Sequence, residues 1–83
     1  MNVRIHEHAQ ERMNERGATR DEVVLTVQSG ERFPAKHGRT GFRRNHAYNS
    51  TWRGRAYATK QVEAIAIEEP DAWLVLTVMV KFF

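Results

Sequence analysis

WLVLTVMVKF, residues 73–82, is the most apolar stretch of this 83-residue chain. Its β-branched and aromatic side chains favour a pleated strand, and it is far too short to cross a bilayer. Read at period two, Leu74, Leu76, Val78, Val80 and Phe82 form a uniformly apolar face, while Trp73, Val75, Thr77, Met79 and Lys81 form a mixed one. The uniform face is expected to pack against helices, each buried side chain contributing roughly 1.5–3 kcal/mol. The mixed face is expected to look outward, to solvent or a ligand.

The rest of the chain supplies partners for this strand. Glu69-Pro70-Asp71 reads as the turn before it, and residues 57–68 as a long neighbouring strand. Further upstream, residues 42–48 alternate as a strand, Asn49-Ser50 reads as a turn, and a second bend falls near Trp52-Arg53-Gly54. Gly30, Pro34, Gly38 and Gly41 punctuate a loop-rich segment with one short edge strand over residues 32–36. The N-terminal third is helical. Ile5, Ala9 and Met13 recur every four residues, flanked by a row of His8, Arg12 and Arg16, and Gly17 ends the helix. Thr19-Arg20-Asp21-Glu22 is a capping box that opens a second helix, closed by Gly30. Its Val23, Val24 and Val27 also suit a strand, but the cap and the closing glycine favour the helix. The expected fold is α+β: one domain spanning residues 1–83, with two N-terminal helices packed on one face of a three- to four-stranded, mostly antiparallel sheet.

Charge is distributed unevenly. Between Arg32 and Lys60 lie eight Lys or Arg residues and no Asp or Glu, although the net charge is only +3. Phe42, Tyr48, Trp52 and Tyr57 are interleaved with these cations. Guanidinium forks match phosphate oxygens and aromatic faces can stack on bases, so RNA is the expected partner. The chain has no cysteine, which excludes disulfides, thiolate catalysis and Cys-based zinc sites. His6-x-His8 would diverge on a helix, so neither a metal nor another cofactor is expected. The N-terminus carries no apolar run of signal-peptide type, no membrane association is expected, and the expected compartment is the cytoplasm.

The motif His8-Ala9-x-x-Arg12-Met13-x-x-Arg16-Gly17, followed by Thr19-x-x-Glu22-Val23, Gly30 and a final strand through Val75, Leu76, Thr77 and Val78, resembles the bacterial domain-of-unknown-function 4258 family. That family is similar to the RelE-type, barnase–EndoU–colicin-like ribonuclease fold, in which two helices precede a four-stranded antiparallel sheet. The resemblance implies metal-independent RNA cleavage, a toxin role with an acidic antitoxin as partner, and functional roles for His8, Arg12, Arg16 and Thr77.

Cleavage without metal needs a base for the 2′-hydroxyl, an acid for the leaving oxygen, and cations around the phosphorane. His46, beside Arg43 and Arg44, is the leading candidate for proton transfer, since neighbouring cations would keep it a base at neutral pH. His8 with Arg12 is the second candidate, and Glu63 an alternative base. Lys60 and Lys81 are expected phosphate clamps, and Arg43, Arg44, Arg53 and Arg55 expected nucleic-acid contacts. Each has a plainer reading as packing or solvated surface. Two other functions stay open: a non-catalytic nucleic-acid-binding module, and a protein-interaction domain that binds an acidic partner or pairs as a homodimer.

Overall fold

The computed structural model describes residues 2–83. Strand β1 (Asn2–Ile5) leads into helices α1 (Glu7–Arg16) and α2 (Arg20–Ser29), then strands β2 (Glu31–Pro34), β3 (Thr40–Trp52), β4 (Arg55–Glu68) and β5 (Ala72–Phe82). The five strands form one sheet in the order β1-β5-β4-β3-β2. All neighbours are antiparallel except β1, which lies parallel to β5 with Ile5 opposite Val75. The sheet is mostly antiparallel, as expected, but it has five strands rather than three to four, and the parallel β1 makes it mixed. The added strand is β1, whose Val3 and Ile5 pack on the core. Ile5 belongs to this strand rather than to α1, which starts two residues later with His6 as its cap. No helix among the described residues is long and apolar enough to cross a membrane.

Local chemistry explains both helices. In α2 the Thr19 hydroxyl accepts from the Glu22 amide while the Glu22 carboxylate accepts from the Thr19 amide. Helix α1 ends at Gly17 in the left-handed region, φ 81°, its N–H bonded to the Met13 carbonyl. Ala9 and Met13 of α1 and Val23 and Val27 of α2 join Phe42, Val62, Ala64, Ala66, Val75 and Val78 in one buried cluster. Alanines at 64 and 66 leave room on β4 for α2 to lie close. Phe42 and Trp73 fill the far end with an edge-to-face contact, centroids 5.0 Å apart.

Two bulges change which side chains face the helices. Ile65 of β4 opposes Thr77, but Ala66 opposes Val75, so Leu76 is an extra residue. The two halves of β5 are thereby out of phase. Val78 and Val80 pack with the core as expected, but before the bulge the core side carries Trp73 and Val75. Leu74 and Leu76 face the opposite side, correcting the uniform stripe expected from period two. In β3, Asn49-Ser50 is not a turn. The strand passes through it with a register shift between Ala47 and Ser50, and Asn49 takes φ 47°. The reversal falls at Arg53 (φ 51°) and Gly54 (φ 83°), the two-residue primed turn that suits strand twist.

At Gly17 an added Cβ meets the Trp52 ring at 2.8 Å, on a backbone that already disfavours side chains. Gly17→Ala is expected to lower stability by about 1–3 kcal/mol, measured by urea unfolding.

Candidate nucleic-acid interface

The cations of the middle third do not share one face. Arg43 lies on the sheet side away from the helices, its Nε 3.1 Å from Glu63 and its guanidinium 3.9 Å from Glu31. Arg32 rests over Trp73 and Phe42 at the other end of the domain. Lys36 and Arg39 border the β2–β3 connection. Arg44, His46 and Lys60 sit on the helix side. Thr77 and Lys81 lie on the opposite side, across from Ile65 and Gln61. His46, Lys60 and Thr77 therefore do not converge on one concave site.

His46 and Lys60 are cross-strand partners buried beneath α2, 9% and 4% exposed. The Thr26 hydroxyl donates to the Glu22 carbonyl at 2.7 Å, which leaves its oxygen to accept from His46 Nε2 at 3.0 Å. The other ring nitrogen, Nδ1, stands 3.5 Å from the Arg44 guanidinium and serves as its acceptor. Neutral His46 is thus satisfied on both nitrogens, and a second ring proton would point at a cation. Burial, with Arg44 and Lys60 and against the pull of Glu22, holds its pKa below the ordinary histidine value. This ring is a packed, hydrogen-bonded part of the interior, with both nitrogens already engaged.

Lys60 is no surface clamp either. Its Nζ donates to the Gly17 carbonyl at 2.7 Å and to Glu22 Oε1 at 3.0 Å, under the Tyr48 ring. Burial works to raise the Glu22 pKa, but the Thr19 amide and the Lys60 ammonium outweigh it and hold the value below the ordinary carboxylate range. Among the described residues, no buried side-chain nitrogen or oxygen lacks a partner.

What the structure does bring together lies at the hairpin end. Beyond its bulge the β3–β4 hairpin curls against the end of α1. Arg53 donates to the Glu15 carbonyl at 2.8 Å and lies over the Trp52 ring, 5.1 Å from its centroid. Trp52 stacks on Phe82 at 5.2 Å and 13°. Arg16 donates to the Val78 carbonyl at 2.7 Å, on the edge of β5 beyond the reach of β1. Glu15, Arg16, Trp52, Arg53, Val80 and Phe82 line a cleft of about 340 Å³ between these elements. The one carboxylate there, Glu15, is bonded to Arg12 at 3.1 Å. Arg16 and Arg53 each spend one N–H group on the carbonyl anchor, which leaves four donors on each guanidinium. Arg55, exposed, stands opposite Trp52 at the hairpin end.

Of the expected site residues, Arg12, Arg16, Arg53 and Arg55 gather at or beside this cleft. His8 is exposed on the same α1 row, stacked on His6 at 5.3 Å. Phe82 was expected only as core, and its second role was invisible without the curl of the hairpin. The inward direction of Lys60 had a legible signal, since it shares parity with Val62, Ala64 and Ala66. Among the described residues, no group of three His, Asp or Glu side chains is placed to hold a metal ion.

Removing Lys60 strands the Glu22 carboxylate and the Gly17 carbonyl, so Lys60→Ala is expected to cost about 3–5 kcal/mol in urea unfolding. The depressed His46 pKa means that the unfolded chain takes up the proton first on acidification. Stability is full above about pH 6.5 and falls as pH drops below it; Glu22 adds a second loss below the ordinary carboxylate range. Melting curves are expected to show both phases, and His46→Gln to remove the upper one.

Compared with family models, curated proteins and solved structures, the chain finds no match, and the functional reading rests on its own residues.

Proposed function

We propose that this chain is a small RNA-binding domain of RelE-like type that grips the phosphodiester backbone in the cleft between α1 and the β3–β4 hairpin. The observation that carries this reading is the pairing of Arg16 and Arg53, from elements far apart in sequence, each held by a backbone carbonyl with donors to spare. Anchored guanidiniums lose little freedom on binding phosphate, which favours them over free surface lysines. Arg12 and Arg55 extend the positive field beside the cleft, against the single carboxylate of Glu15. Trp52 acts as the platform that orients Arg53, because one ring face carries Phe82 and the guanidinium lies over the ring. Backbone contacts of this kind position a strand without reading its sequence.

A cleaving version of this reading has one specific observation behind it. His8 is the exposed histidine on the row that continues through Arg12 to Arg16, so proton transfer falls to His8 and not to the buried His46. The product would be a 2′,3′-cyclic phosphate formed without metal.

Binding of a labelled single-stranded RNA, followed by anisotropy across a salt series, tests the cleft. Affinity is expected to fall steeply with salt, and Arg53→Ala to weaken binding several-fold and reduce the log–log slope by about 0.7. Lys81→Ala, on the opposite side of the sheet, is expected to change neither. An affinity indifferent to salt rules the reading out. For the cleaving version, RNA is expected to be cut in EDTA by the wild type and left intact by His8→Ala.

A further inference from the structure

The sheet side away from the helices has no role in the reading above, and it is not the cationic surface that the sequence suggested. Its rows grade along the strands. At one end Ile67 lies opposite Leu74, followed by Gly41, Ile65 and Thr77 side by side with the bulged Leu76. The Phe33 ring covers Gly41, so closely that an added Cβ would lie 2.3 Å from it. Next come Arg43, Glu63 and Met79, and then Asn45, Gln61 and Lys81. Ile67 and Met79 are 40% and 39% exposed. Most charges on this side are paired, Arg43 by Glu63 and Glu31, and Arg4 by Glu69 at 3.0 Å, while Lys81 stands at the end away from the apolar rows.

We propose that this side is the homodimer interface, with two copies stacking sheet on sheet about a two-fold axis that runs along the central strand, β4. A partner recognised by charge would meet a face whose carboxylates and guanidiniums are already paired at its apolar end, whereas a second copy brings the same apolar rows at the same level. An axis along the strands keeps the apolar rows at one level, with Ile65 and Ile67 of β4 against their own copies and Leu74, Leu76 and Met79 of β5 over the partner copy's β3, while an axis across the strands would set this end against Asn45, Gln61 and Lys81. The first arrangement is the aligned packing of a β-sandwich. The domain measures 41 × 23 × 22 Å, so a face of that length and breadth offers at most on the order of 900 Å², against the roughly 800 Å² per partner of a standard interface. The hairpin-end clefts stay open on the two outer flanks.

Sedimentation equilibrium of the full chain over a micromolar concentration series tests the proposal. The expected mass is twice that of one chain and persists in high salt, since apolar burial is not screened. Ile67→Asp combined with Met79→Asp is expected to halve the mass with an unchanged far-UV spectrum, while Arg53→Ala leaves the dimer intact. A single-chain mass for the wild type at every concentration, or a folded double variant that still dimerises, overturns the proposal. Should the double variant lose its fold, the absence of native cysteine gives a second route. Ile67→Cys, near the axis, is expected to form a disulfide-linked dimer on mild oxidation, and Glu11→Cys on α1 to stay monomeric on a denaturing gel. Failure of Ile67→Cys to cross-link counts against the proposal.

Discussion

The buried ammonium of Lys60 is the contact on which the layers depend. It sits in the middle of the sheet, yet its partners are the carbonyl that ends α1 and the carboxylate that caps α2. The same Glu22 Oε1 accepts from the Thr19 amide, so one oxygen joins the interhelical turn to the sheet. The negative end of the α1 dipole and the Glu22 charge both point at this cation, which offsets the cost of taking it out of water. The register of β3 on β4 then follows, because His46 must stand opposite Lys60 to reach Thr26. A slip of β3 by one residue would turn His46 to the other side of the sheet from Lys60.

Several features were legible in the chain itself. The Thr19–Glu22 box and Gly17 marked the helices, and the run ending at Phe82 marked the last strand, because capping and β-propensity are local effects. Strand β1 was not legible. Four residues are too few for a periodicity to stand out, and Ile5 also completed a helical stripe. The bulge at Leu76 was equally hidden, since an extra residue in an apolar strand leaves the composition unchanged while reversing the phase. The basic stretch misled for a different reason. Sequence shows how many cations there are, but only strand parity and hairpin curl decide which way each one points.

Seen in three dimensions, those cations divide among distinct tasks. Lys60 and Arg44 serve a buried network, Arg43 closes ion pairs, Arg32 covers aromatic rings, and Arg53 caps helix carbonyls. At the surface, Arg53 and Arg55 come together with Arg16 and Arg12 of α1 where the hairpin meets that helix, while Lys36 and Arg39 stay apart at the β2–β3 connection. Net charge and local charge density therefore describe this protein less well than the anchoring of individual guanidiniums. An anchored group presents a fixed donor geometry, and a free one presents only charge.

The short reach of β1 has a consequence for solubility. Parallel pairing covers β5 only as far as Val75, so the remaining edge offers backbone groups on which another chain's strand could nucleate ladder growth. Three features guard it. The bulge at Leu76 kinks the edge, Lys81 places a charge near its end, and Arg16 occupies the carbonyl of Val78. Arg16 thus denies an incoming strand one carbonyl of this edge, so its side chain protects the ladder as well as fastening α1 to the sheet.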